Sequence, residues 1–153
     1  MTRQIPNAPR LAVRAVIVEQ GKLLLVNAWP RGKSDLLCAP GGGVEPHASL
    51  PDNLRREVRE ETGLEIAVGA VCLVNEFHDP ARGFHQVDVY FRAEIVAGAL
   101  DPDWQDPEAI VTERRWVTEQ EMAGLRVKPD ALAAVAFGGG GAISYDPLEP
   151  LVF

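Results

Sequence analysis

Residues 42–64 read Gly-Gly-Val-Glu-Pro-His-Ala-Ser-Leu-Pro-Asp-Asn-Leu-Arg-Arg-Glu-Val-Arg-Glu-Glu-Thr-Gly-Leu, a glycine-rich approach, a helix start and an acidic helix face in one run. Neighbours on a helix lie three and four residues apart, so Glu57 falls beside both Glu60 and Glu61, within an arc of about 100°. Like charges so placed destabilise a helix by roughly 0.2–0.5 kcal/mol per exposed pair, and by more where solvent is excluded. A divalent cation reverses that sign. Carboxylate oxygens that leave room for waters and phosphates suit Mg2+ or Mn2+. The alternative, a solvated charged face, leaves the surroundings unexplained. Ser49 can cap the helix, Pro51 needs no helical donor there, and Asp52 completes a weak capping box. Leu50, Leu54 and Val58 form an apolar stripe next to the acidic face, which places the carboxylates at the edge of the core. The run Ala39-Pro40-Gly41-Gly42-Gly43 predicts a tight loop just before the helix.

Working outward, 153 residues with 46% apolar content suffice for one domain with a sizeable core, and a single domain over residues 1–153 is expected. The net charge of −7 argues against a general nucleic-acid binder, which needs a basic surface. Small anionic substrates reached through metal ions and local arginines remain. Cys38 and Cys72 show neither ligand spacing nor a pairing pattern, and read as free thiols of a reducing, cytoplasmic setting. No signal-like start and no apolar run of about 18 residues is present, so no membrane association is expected.

Leu11 to Glu19 and Lys22 to Val26 read as strands joined at Gln20-Gly21, followed by a loop over Asn27 to Asp35 and a short strand at Leu36 to Ala39. Ile66 to Phe77 and Gln86 to Val96 read as two further strands with a hairpin loop at His78 to Gly83 between them. Gly98 to Glu108 reads as a loop and Ile110 to Val117 as a strand. Thr118 is expected to cap a short helix through Met122, and Pro129 to Phe137 to form another, ended by the glycines at 138–141. The tail, Ala142 to Phe153, has no usable periodicity and is open to packing on the domain or on a second subunit. The order of elements indicates an α/β fold, a mixed sheet between helices.

On Gly42, Arg56, Glu57, Glu60, Glu61 and Gly63, with Val58 and Leu64 at apolar positions, the chain resembles the Nudix hydrolases. A match of this kind should arise by chance at roughly 10⁻⁴ in a chain this long. Ala48 stands where that family has its first Glu. The resemblance covers about residues 11–124, leaving a C-terminal helix and tail at 125–153, and implies a Nudix-type α/β/α sandwich with a mixed β-sheet. It further implies metal-dependent hydrolysis of a phosphoanhydride in a nucleoside diphosphate linked to another group. Glu57, Glu60 and Glu61 would be metal ligands together with the Gly41 carbonyl, Glu57 and Glu61 would serve catalysis, and Arg56 would give structural support. A further acid from a late loop is expected, Glu108 ahead of Glu113. Two outcomes are open at Ala48: Glu57 with the metals suffices for an active enzyme with fewer cations, with a neighbouring acid such as Glu45 or Asp52 able to compensate, or the site is a catalytically weak nucleotide-binding or regulatory module.

Pro80, 16 positions beyond Leu64, resembles the proline marker of ADP-ribose pyrophosphatases within that family. ADP-ribose or a nucleotide sugar is therefore the first substrate expected. Phe77, His78, Arg82, Phe84 and His85 cluster about the same loop and could stack on a base or contact phosphate. Trp29 and Trp104 are further stacking candidates. Homodimers are common in the family, and the apolar tail is the surface expected to support one.

Overall fold

The computed structural model describes residues 8–30 and 32–153; the polar start at 1–7, and Arg31 within the expected 27–35 loop, lie outside the described residues. The stretch read as one strand from Leu11 is two, β1 (Arg10–Val16) and β2 (Val18–Glu19), because the chain changes sheets at the fully buried Ile17. β1 runs parallel to β7 (Phe84–Ala97) and antiparallel to β5 (Gly41–Gly43), whereas β2 pairs with β3 (Lys22–Asn27) in the second sheet. That second sheet also holds β4 (Leu37–Cys38) and β8 (Arg114–Thr118), both antiparallel to β3. The first sheet has the order β5-β1-β7-β6-β9, with β6 (Glu65–Asp79) antiparallel to β7 and β9 (Ser144–Pro150) parallel to β6.

Helices cover the sheets from two sides. α1 (Leu50–Thr62) buries Leu54 and Val58 with Val13, Ile17, Leu24, Ile66 and Phe91. α2 (Glu119–Met122) and α3 (Leu132–Phe137) close a second core around Leu23, Leu25, Leu73, Tyr90 and Val117. This is a mixed α/β sandwich. The caps read from sequence form: Ser49 Oγ accepts from the Asp52 N–H at 3.1 Å, Gly63 ends α1 at φ 75°, and Thr118 and Glu121 make a reciprocal capping box.

Three further expectations change. The glycine run is not wholly a loop: Gly41–Gly43 pairs with Ala12–Arg14 as an edge strand, since a Cβ on Gly41 would lie 1.9 Å from the Val13 carbonyl oxygen and only glycine permits that approach. The strand expected from Ile110 begins at Arg114, because side chains take the place of ladder partners upstream of it. Asp106 accepts the N–H groups of Glu108, Ile110 and Val111, and Asn27 Oδ1 those of Thr112 and Glu113 at 2.9 and 3.0 Å. The tail packs on its own domain as β9, an edge position that tolerates Pro147 and Pro150.

Candidate active site

Helix α1 advances about 100° per residue, so Glu61 falls about 40° from Glu57 toward the Leu54–Val58 stripe, while Glu60 falls about 60° the other way. Burial follows that geometry. Glu57 and Glu61 are 7% and 8% exposed and line a cleft of about 890 Å³, whereas the Glu60 side chain is 30% exposed and lies on the flank of the helix. Arg56 Nη1 contacts Glu57 Oε1 at 3.1 Å and both Glu60 oxygens at 3.5 Å, clamping one turn of the helix. Trp104 donates its indole N–H to the Glu60 carbonyl at 2.8 Å and packs where a Cβ on Gly63 would fall, which makes it a support of α1 rather than a stacking surface.

β5 brings backbone to the two buried carboxylates. The Gly41 N–H donates to the Glu61 oxygens at 3.3 and 3.4 Å, and a Cβ on Gly42 would sit 2.5 Å from Glu57 Oε2. The strand thus forms a cradle only glycine allows. Desolvation pushes the Glu61 carboxyl up to about 8, against the lowering effects of Arg14 and the Gly41 N–H, and raises Glu57 against the pull of Arg56. Buried carboxylates with most of their acceptor capacity unused fit a divalent cation shared with waters and a ligand. Among the described residues no three acidic, imidazole or thiol side chains form a ready-made cage, so such an ion would take the rest of its shell from backbone oxygen, water and substrate.

Glu108 and Asp106 line the cleft on the loop that Asp106 itself ties down; Glu113 faces away and pairs with Arg115 at 3.5 Å. Glu45 lines the mouth, 3.8 Å from Arg56 Nε, whereas Asp52 points to solvent and pairs with Arg55. Ala48 is exposed, and its carbonyl accepts from Asn53 Nδ2 at 3.3 Å. Phe77, Arg82 and Phe84 reach the cleft wall, but His78 and His85 do not; His85 Nε2 contacts Glu76 at 3.1 Å on the opposite side of the β6–β7 hairpin. Trp29 lines the cleft, stacked on Phe153 at 4.6 Å, and donates to the Val152 carbonyl at 3.0 Å.

Sequence reading missed the floor. Arg10, Arg14, Asn75, Gln86 and Asp88 line the cleft from β1, β6 and β7, with Lys128 and Glu149 at its far wall. The available signal was period two: charged or amide side chains at alternate positions inside otherwise apolar strands. Cys38 is half-buried at the same floor and Cys72 is buried in the core, both free thiols.

The model of the NUDIX domain matches residues 8–136. An ADP-ribose pyrophosphatase of Methanocaldococcus jannaschii is 28% identical over 92 residues, 60% of this chain and 54% of that protein, so the match spans about half the length of that relative. Among solved structures, a NUDIX hydrolase from Nitrosomonas europaea superposes with a TM-score of 0.73 at 24% identity, covering 89% of this chain and 93% of that one. An ADP-ribose pyrophosphatase from Streptococcus suis superposes with a TM-score of 0.66 at 18% identity, covering 93% of this chain and all of that one (100%). The structural likenesses, at these identities, speak for the fold.

Proposed function

The chain belongs to the NUDIX family, and from that premise we propose that it is a divalent-cation-dependent pyrophosphohydrolase acting on a nucleoside diphosphate linked to another group, with ADP-ribose or a nucleotide sugar as first substrates. The observation that carries this reading is the pair of buried carboxylates, Glu57 and Glu61, facing a polar cleft beside a glycine strand that approaches them closely. The ADP-ribose pyrophosphatase among the relatives supports the substrate class.

Phosphoanhydride hydrolysis requires neutralised phosphate oxygens, a stabilised leaving phosphate and a water held in line. A Mg2+ or Mn2+ ion held by Glu57, Glu61 and the Gly41 carbonyl, with Glu60 and Glu108 as further donors, would supply the charge neutralisation. The chain's own residues do the rest. Arg56 fixes Glu57 and Glu60 through its guanidinium, Glu57 and Glu61 orient the attacking water and one of the two takes its proton, and Arg82 faces the anionic ligand from the wall. A homodimer and a cytoplasmic location belong to the same proposal.

Ala48 favours a second reading, a nucleotide-binding module with weak turnover, since methyl neither holds a cation nor takes a proton. Glu45, held beside Arg56 at the cleft mouth, is an acid able to compensate; Asp52, committed to Arg55, is not. The test is phosphate release, in the presence of a phosphatase, from nucleoside triphosphates, ADP-ribose, nucleotide sugars and dinucleotides. Turnover of one class with magnesium, abolished by chelator and strongly lowered by Glu57→Gln, is expected. Magnesium-dependent binding without turnover of any compound would establish the second reading instead.

A further inference from the structure

The sheet register builds a polar row into the cleft floor. Arg10, Ala12 and Arg14 of β1 stand opposite Gln86, Asp88 and Tyr90 of β7, and these stand opposite Phe77, Asn75 and Leu73 of β6. One face therefore carries Asn75, Asp88 and the small Ala12 side by side, with Gln86 next along the strand. Asn75 and Asp88 are 2% exposed and Gln86 is 3%. Gln86 Nε2 donates to Asp88 Oδ1 at 2.7 Å and Arg10 Nη1 to Gln86 Oε1 at 3.3 Å, so part of the row is internally satisfied.

Two atoms of it are not. Arg14 Nε and Asn75 Oδ1 are buried and have no hydrogen-bond partner among the described residues; Arg14 Nε stands 3.6 Å from Asp88 Oδ2, an ion pair too long for a hydrogen bond. A buried polar atom without a partner is costly, and both of these belong to side chains that line the cleft. One is a donor and the other an acceptor. Sugar hydroxyls, unlike phosphate oxygens, can accept from the one kind of atom and donate to the other, and they satisfy the Asn75 amide in either orientation. A phosphate oxygen only accepts, and Asp88 repels it. Arg14 Nη1 also lies 3.5 Å from the Gly41 carbonyl, so the row abuts the carboxylate end of the cleft.

We propose that Asn75, Asp88, Gln86 and Arg14 form a recognition site for the hydroxyls of a sugar, seated directly beside the phosphoanhydride. The assignment rests on the hydrolase reading for what lies next to the sugar, but the sugar contact is testable without turnover. Calorimetric titration of ribose 5-phosphate and of inorganic pyrophosphate, both with magnesium, separates the two ends of the cleft. Asn75→Leu is expected to weaken ribose 5-phosphate by at least about tenfold while changing pyrophosphate by less than about twofold. Asn75→Ser, which keeps a hydroxyl, should retain most of the sugar-phosphate affinity, and Asn75→Ala replaces the leucine variant should that one fail to fold. Unchanged ribose 5-phosphate binding, or equal weakening of both ligands, overturns the assignment. Loss of all turnover in the wild type with Asn75-dependent ribose 5-phosphate binding intact would instead overturn the hydrolase reading and leave this one standing.

Discussion

At the scale of single residues, the acidic run divides into unequal members. Glu57 and Glu61 lie on the buried arc of α1 and Glu60 off it, held by Arg56. Glu57→Gln and Glu61→Gln should each lower kcat by roughly 10²- to 10³-fold, the scale of removing one electrostatic stabiliser, and Glu60→Gln by less. Steady-state assays at saturating magnesium compare them directly. Glu108→Gln should lower the rate at limiting magnesium more than at saturating magnesium; an identical magnesium dependence would remove Glu108 from the site. Burial gives Glu61 a further consequence without metal. Its folded-state pKa, about 8 against an ordinary 4.5, means that the folded protein retains a proton the unfolded chain has released across that interval. Stability of the chelator-treated protein should therefore fall as pH rises from about 5 to 8, by on the order of a few kcal/mol, and magnesium should restore it. Urea denaturation across that range measures the slope, and Glu61→Gln should flatten it. Helical spacing made Glu57 and Glu61 legible in the sequence. It did not distinguish Glu60, because the three are equivalent until the centre of the buried face is known.

At the scale of elements, the site depends on an edge strand read first as a loop. Gly41–Gly43 lies against β1 and α1 so closely that a methyl group at position 42 would collide with Glu57. Gly42→Ala should displace that carboxylate and weaken magnesium dependence about 10- to 100-fold, as loss of ligand support commonly does, with little change in far-ultraviolet circular dichroism. The tail was illegible for a different reason: two prolines and no alternation concealed a strand that only an edge position accommodates. Its last residues wall the cleft through the Trp29–Phe153 stack, with Arg82 5.1 Å above the Phe153 ring. Phe153→Ala should cost roughly 1 kcal/mol and shift tryptophan emission. An unchanged emission maximum and unfolding midpoint would show that the tail contributes no wall in solution.

At the scale of the whole molecule, one cleft gathers charged side chains of both signs, Arg10, Arg14, Arg56, Arg82 and Lys128 beside Glu45, Glu57, Glu61, Asp88, Asp106, Glu108 and Glu149, so an anionic ligand of the proposed kind would need a cation to enter it. Elements separated by more than 70 residues in sequence supply that convergence, as the Arg14–Asp88 pair illustrates. Sheet order, and not any local pattern, brings them together, which is why the helix and its acids were readable in advance and the floor was not. Arg14→Met should cost about 3–5 kcal/mol by leaving Asp88 buried without its counter-charge, a loss visible in chemical denaturation. A cation held by Glu57 and Glu61 is the central requirement of the proposed hydrolysis. Electron paramagnetic resonance of Mn2+ titrated into the wild type and the Glu57→Gln and Glu61→Gln variants measures this directly. Bound manganese displaced by magnesium, with affinity reduced about tenfold or more in both variants, is the predicted result. Equal manganese binding by all three proteins would contradict it.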